Sequence, residues 1–381
     1  MPYAEGRTFN DADAHIMEPA NWLAEFADPG IRPRIKPLDL AVAGRLAEAA
    51  FRGKYDARHW DEVAIEKNLM QIKGWEALGA FDRAERTRAL DLLGFNRQLV
   101  FTSLAMSQFW GVYAQREHDL ELVYGGARAV NRGITDFCKD DRRRIPVGFL
   151  PLDDPERAEQ EIEAGLRLGC GSFWIPATPA GDKSPTHHDY DGVWSRLQEA
   201  NVPFMLHVGV GPHPIEPAYR NNGRPREGFA GGGEALDSKD FMLLHMPAEA
   251  FLSAMVLDGT FEQFSRLRCG VIELGALWLP SWLRRLDVAQ TAFARTEPAL
   301  TSLKMRPSEY VRRQIKFTPY PHEPVGWIIQ QAGEEILMIS SDYPHIEGGR
   351  NPIKRFEDSM RDISDEARER FYAQNFSELI G

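Results

Sequence analysis

The chain has 381 residues, 43% hydrophobic and 10% aromatic with 9 Trp, and its Lys+Arg 45 against Asp+Glu 56 give a formal net charge of -11. Such a composition excludes a disordered or low-complexity chain and suffices for a large buried core. The acidic balance lacks the phosphate-neutralising surface that nucleic acid or an anionic membrane demands, so neither is expected as a partner. Three scattered cysteines, Cys138, Cys170 and Cys269, make no C-x-x-C and no disulfide framework, which fits a reducing cytoplasm.

The opening MPYAEGRTFNDADAH carries no basic segment followed by an apolar one, so no secretory signal is expected. Nor does any apolar run read as the roughly 18 residues needed to cross a bilayer. The first strand-like run, residues 8–16, closes in Asp11-Ala-Asp-Ala-His15. Strand alternation puts Asp11, Asp13 and His15 on one face, where isolated ionisable groups are costly unless paired or bound to a metal. Residues 19–84 follow as a long insertion, with Glu18 at its start. Further apolar or β-branched runs lie at 98–104, 145–152, 171–177, 202–208, 269–275, 315–320 and 336–341, with helical spacing between them. Asp154 and Pro155 mark the cap and first turn of one such helix, 154–168. The fourth run is followed by His187 and His188, the fifth ends in His207 and leads into a loop at 209–240, the sixth ends in Glu273, and the eighth ends in Ser-Asp342-Tyr-Pro-His345.

Eight strands alternating with helices predict an α/β fold, a closed (β/α)8 TIM barrel over residues 1–381, with a long insertion after strand 1 and a long loop after strand 5. A dinucleotide fold is the weaker reading. The glycines after His207 are followed by Pro212 and Pro214, which prevent the helix that a phosphate-binding loop must open. In a closed barrel strand 8 pairs with strand 1 and faces strands 5 and 6 across the mouth, so the strand-end residues converge. Singly, each has an ordinary alternative: His207 can bond a carbonyl, Asp342 can cap a turn, and His187 can cap the helix near Asp189. Imidazole and carboxylate ligands without thiolate suit Zn, Mn or Fe, and three or four of them leave a position open for catalysis.

The Asp-x-His close of strand 1, the His ending strand 5, the ELGALWLPSWLRRLD of strand 6 and the SSDYPH of strand 8 resemble the amidohydrolase-related metal-dependent family, in the branch of aminocarboxymuconate-semialdehyde decarboxylase. The resemblance runs through nearly the whole chain. It implies Asp13 and His15 as a metal-ligand pair, His207 as the strand 5 ligand, and Asp342 as ligand and proton-transfer group. The family's usual strand 6 His is Glu273 here, and no Lys closes strand 4 to bridge two ions. Glu18, His245, Glu273, His345 and Glu347 remain to bind a second ion, an arrangement that resembles the family's dinuclear iron or manganese oxygenases.

The resulting expectation is a cytoplasmic enzyme that hydrolyses or decarboxylates a small organic acid, with one or two divalent ions, Zn foremost and Mn or Fe next. Asp342, Glu273 and His187 are the expected catalytic groups. Asp13, His15, Glu18, His207, His245, Glu273, Asp342 and His345 are the expected metal ligands. Phe109, Trp110, Trp174, Trp278 and Tyr320 predict an apolar pocket suited to an aromatic acid, and Arg220, Arg224 and Arg226 predict carboxylate anchors. The alternatives are a dinuclear oxygenase and a weakly active subunit of a hetero-oligomer; a homo-oligomer is the default.

Overall fold

The computed structural model describes residues 2–38, 62–106, 119–179, 181–209, 215–224 and 238–381. Parallel strands follow one another around a barrel: β1 (Asn10–Asp11), β2 (His15–Ile16), β3 (Arg97–Thr102), β4 (Arg144–Phe149), β5 (Ser172–Trp174), β6 (Phe204–His207), β7 (Cys269–Ile272) and β8 (Ile315–Phe317). Each pairs in parallel with the next, β1 and β2 both pairing with β3. The last predicted run closes the ring as extended chain. Phe317 N–H donates to Ile336 O at 2.7 Å on one side, while Ala12 N–H donates to Ile339 O at 3.0 Å and His15 N–H to Tyr343 O at 2.8 Å on the other.

The first strand departs from strict alternation. Asp11 pairs with Gln98 and His15 with Phe101, so four steps on one strand match three on the other, which is a one-residue bulge. The bulge splits the predicted row. Asp11 joins Gln98 on the outer side of β3, and His15 joins Phe101 inside the barrel.

Inside, Leu99, Phe101, Val147, Phe149, Trp174, Met205, Ile272 and Met338 are buried, and Phe376 and Leu379 of the C-terminal helix Asn375–Ile380 pack into the same cluster. The helix Pro155–Leu168 forms as its signals dictate: the Asp154 side chain accepts from Arg157 N–H, and Gly169 ends it at φ 104. One expectation is corrected. The 20 residues Ser238–Leu257 are long and apolar enough to cross a bilayer by length and composition. They form two helices, Ser238–Leu243 and Met246–Leu257, and the second buries Ala248, Phe251, Leu252, Met255 and Val256 against the barrel.

The described part of the insertion reaches the mouth. Gly74 N–H donates to Pro344 O at 2.8 Å and Met17 N–H to Ala80 O at 2.8 Å, and the Tyr343 hydroxyl donates to Leu78 O at 2.8 Å. In the second loop, Arg220 is an internal partner and not a free carboxylate anchor: its guanidinium grips the fully buried Asp240 with both terminal nitrogens. Arg224 is exposed, and Arg226, Phe109 and Trp110 lie outside the described residues.

Candidate metal centre

Six side chains from four strand ends meet at the mouth. The ligand atoms of Asp13, His15, His207 and Glu273 lie within 4.8 Å of one another, and so do those of His15, Glu273, Asp342 and His345. His15 Nε2 is 3.2 Å from Asp13 Oδ1, 3.6 Å from Asp342 Oδ1 and 3.8 Å from Glu273 Oε2. His207 Nε2 is 3.5 Å from Asp13 Oδ1 and 3.3 Å from Glu273 Oε2.

The outer hydrogen bonds assign the imidazole tautomers. His15 Nδ1 lies 3.1 Å from Thr102 O, and His207 Nδ1 lies 2.7 Å from Val208 O. Carbonyls only accept, so each Nδ1 carries the proton and each Nε2 presents its lone pair to the carboxylates. Ser103 Oγ donates to Ile16 O at 2.8 Å and therefore accepts from His345 Nε2 at 2.7 Å. That leaves the His345 Nδ1 lone pair facing Asp342 Oδ1 at 3.1 Å. Acceptors facing acceptors in a buried site repel unless a cation or a proton lies among them.

Burial sharpens the demand. Asp13, His15 and Asp342 are at most 4% exposed, and both oxygens of each carboxylate and Nε2 of His15 find no hydrogen-bond donor among the described residues. Buried polar groups of this kind are rare without a ligand to satisfy them. The residues fit a divalent ion: nitrogen and carboxylate donors, no thiolate, and an outer bond orienting each imidazole.

The backbone is strained at two of these residues. Glu273 has φ 54 and Asp342 has φ 50, a region that costs a non-glycine residue on the order of 1 kcal/mol. Hydrogen bonds hold both. Glu273 N–H donates to Thr318 Oγ1 at 2.9 Å, its carbonyl accepts from the Tyr320 hydroxyl at 2.8 Å, and Asp342 N–H donates to Asp13 O at 2.9 Å.

The electrostatics follow from burial and neighbours. Burial pulls the His15 and His345 imidazoles down to about 4, so both are neutral at pH 7. Burial would raise Asp13, and only with a proton on Nε2 do the His15 and His207 imidazoles outweigh it and hold its carboxyl below the usual range. Burial, then the Asp13 charge, push Asp342 well above its usual range. In the cation-free protein Asp342 therefore holds its proton to higher pH than a free carboxyl does, and a divalent ion competes with that proton. Affinity for the ion is expected to rise with pH until that raised pKa is passed, by up to about tenfold per pH unit for one proton released. Calorimetry in buffers of different ionisation enthalpy measures that proton directly, and a pH-independent affinity with no proton release contradicts it.

Three predicted residues stand elsewhere, each satisfied locally. The Glu18 carboxylate accepts backbone N–H groups from Ser103 at 2.8 Å, Leu104 at 2.9 Å and Ala105 at 3.4 Å, capping the short turn Leu104–Met106. His245 stacks on Trp278 with centroids 5.2 Å apart and faces Glu249 at 3.4 Å. His187 accepts from Asp189 N–H and caps the turn His188–Tyr190, with its side chain 36% exposed. Local turn chemistry explains both capping residues, and none of the three belongs to the ligand groups at the mouth; His187 groups instead with His188 and Asp189.

Sequence reasoning missed Lys73. Its Nζ is buried without a hydrogen-bond partner among the described residues, 5.9 Å from the Tyr343 ring centroid. Burial pulls the ammonium down to about 8 against the opposing pull of Asp342 and Glu347. Its only signal was membership of an insertion that follows a strand end. The mouth is lined by Asp13, Glu273 and Asp342 together with Thr318, Pro319, Tyr320, Pro321, Ser340, Glu347 and Gly348. Trp174 is buried, its ring centroid 4.8 Å from that of His207.

Known proteins agree with this architecture. The chain is 24% identical over 206 residues to decarboxylase orsB of Emericella nidulans, a match that spans 54% of this chain and 60% of that relative. Among solved structures, the amidohydrolase map2389c of Mycobacterium avium subsp. paratuberculosis superposes with a TM-score of 0.72 at 19% identity, covering 99% of this chain and 100% of that one. The 5-carboxyvanillate decarboxylase of Novosphingobium aromaticivorans, complexed with manganese and 4-hydroxy-3-methoxy-5-nitrobenzoic acid, superposes with a TM-score of 0.64 at 20% identity over 98% of this chain and 96% of that one. The family model described as amidohydrolase matches residues 11–376, which contain every residue of the cluster, and the chain belongs to that family.

Proposed function

We propose that the protein is a metal-dependent enzyme that decarboxylates a small aromatic acid, with hydrolysis of such an acid's derivative as the companion chemistry of the same centre. The observation that carries this is the convergence of buried, donor-less lone pairs from Asp13, His15 and Asp342 on one point. Asp13, His15, His207 and Asp342 hold the ion, which when bound supplies a Lewis acid and a water of pKa near 7. Mn stands beside Zn as the expected ion, because the similar 5-carboxyvanillate decarboxylase was solved with manganese. Glu273 and Asp342 are the carboxyl groups placed to move a proton, and the aromatic and proline wall at Tyr320 favours a flat apolar ring.

Lys73 supports an acidic substrate, since a buried ammonium with no hydrogen-bond partner among the described residues gains most from an incoming carboxylate. Substituting Lys73→Met is expected to raise KM for the acid by about 10- to 100-fold, the worth of one charged hydrogen bond, with a smaller change in kcat. An unchanged KM removes Lys73 from substrate binding.

A second reading, a dinuclear Fe or Mn oxygenase, is favoured by one observation: His15, Glu273, Asp342 and His345 form a ligand group overlapping the first. A panel of aromatic carboxylic acids, assayed with and without oxygen and before and after chelation, separates the readings. Chelator-sensitive release of CO2 without oxygen supports decarboxylation, oxygen consumption supports the oxygenase, and turnover that survives full chelation sinks both.

A further inference from the structure

Behind the metal ligands, on the outer side of the first strand, lies a fully buried guanidinium. Arg86, in the helix Arg83–Leu93, donates from Nε to Gly79 O at 2.8 Å, from Nη1 to Gln98 Oε1 at 3.2 Å, and from Nη2 to the carbonyl of His15. None of these acceptors is charged. A buried guanidinium without a direct anion is costly, so its bonds call for a physical reason.

The balancing charge stands one amide away. Gln98 Nε2 donates to Asp11 Oδ2 at 2.7 Å. A guanidinium only donates and a carboxylate only accepts, so Gln98 has a single orientation that serves both. The fully buried Asp11 carboxylate also accepts Ser341 N–H at 2.7 Å, Ser341 Oγ–H at 2.6 Å and Asp13 N–H at 3.4 Å. The guanidinium further lies 5.2 Å from the ring centroid of Tyr343. The network therefore grips the chain at Asp13, His15, Ser341 and Tyr343, the residues that bear or flank the ligands Asp13, His15 and Asp342.

We propose that Arg86 is a positioning residue which, through Gln98 and Asp11, holds Asp13, His15 and Asp342 in one coordination geometry. A role in packing alone would be served by apolar side chains at lower cost, since replacing buried charges with hydrophobic groups of similar volume is often neutral or stabilising. Directional bonds that end on the ligand-bearing backbone do what apolar packing cannot: they set where the ligand atoms sit. Outer-shell bonds of this kind tune metal sites as strongly as some ligands do.

The inference rests on the reading of the cluster as a metal centre, and the experiment tells the two apart. Co2+ is titrated into the full chain after chelation and followed by its visible absorption bands, for the wild type, Gln98→Met, Arg86→Met and the double variant, beside thermal unfolding of each metal-free protein. Gln98→Met leaves Arg86 and Asp11 each short of a partner and is expected to lower the metal-free melting temperature, and beyond that fall to weaken Co2+ binding by about 10- to 100-fold and change the band pattern. The double variant is expected to lose no more than the worse single one, because both break one chain of bonds. Unchanged affinity and bands in Gln98→Met, additive losses, or weaker binding that only tracks a fall in metal-free stability with unaltered bands would each overturn the proposal. If Arg86→Met does not fold, Arg86→Lys, which keeps the charge and loses the fork, is judged by the same bands. A wild type that binds no Co2+ defeats the metal reading itself.

Discussion

Asp342→Asn is expected to cut turnover by about 10^3-fold at saturating divalent ion, and at the same time to make the metal-free protein more stable at neutral pH. In the wild type, Asp342 Oδ1 faces the bare Nδ1 of His345 at 3.1 Å and Nε2 of His15 at 3.6 Å. An amide in its place donates N–H to one of those lone pairs. It satisfies by itself what the ion would have satisfied, removes one ligand charge and can neither give nor take the proton. The stability sign follows from linkage. Burial and the Asp13 charge raise the folded pKa of Asp342 above the usual 3.8, so the metal-free wild type loses stability as pH rises from that value towards the raised one. The Asn variant lacks that loss. Thermal unfolding of both metal-free proteins at pH 5 and pH 8, beside kcat with added ion, checks the pair of effects, which is the usual trade between activity and stability at a strained site. A variant that keeps turnover, or one that destabilises the metal-free protein at pH 8, contradicts the role.

Glu273→Gln is the second large effect and separates mechanisms. Glu273 stands at φ 54 with its peptide bound on both sides, and its Oε2 is 3.3 Å from His207 and 3.8 Å from His15. The strain is retained where the side chain must point into the mouth. The amide preserves the shape and removes the charge, so metal content decides. Loss of about one ion per chain together with turnover marks Glu273 as a ligand in a two-ion centre and strengthens the oxygenase reading. Unchanged metal with turnover lower by about 10^2- to 10^4-fold marks it as the proton-transfer group. Unchanged metal and unchanged turnover remove Glu273 from the chemistry.

Most of the barrel was legible because each strand is a short apolar run and each helix has its own periodicity and caps, as Asp154, Pro155 and Gly169 show for Pro155–Leu168. What alternation could not show is the bulge between Asp11 and His15, since register is a property of two strands and only the pairing with Gln98 and Phe101 reveals it. The last strand was legible as a run, though it closes the ring through isolated bridges, Phe317 to Leu337 and Ala14 to Tyr343.

In the site, Asp13, His15, His207, Glu273, Asp342 and His345 come together because strand ends of a barrel converge by geometry. Glu18, His245 and His187 were chosen by residue type and nearness in sequence, and turn amides or neighbouring side chains claim them. Lys73 and Arg86 were invisible because the docking of the insertion and of the helix Arg83–Leu93 after it depends on long-range contacts such as Gly74 with Pro344 and Arg86 with His15.

Elemental analysis of the full chain, purified without added metal and paired with activity before and after chelation, tests the central claim most directly. The account predicts about one or two divalent ions per chain, Mn, Zn or Fe, with turnover lost on chelation and restored by the same ion. A chain that is free of metal as purified, gains nothing from added Mn2+, Zn2+ or Fe2+ and still turns over an aromatic acid would contradict it.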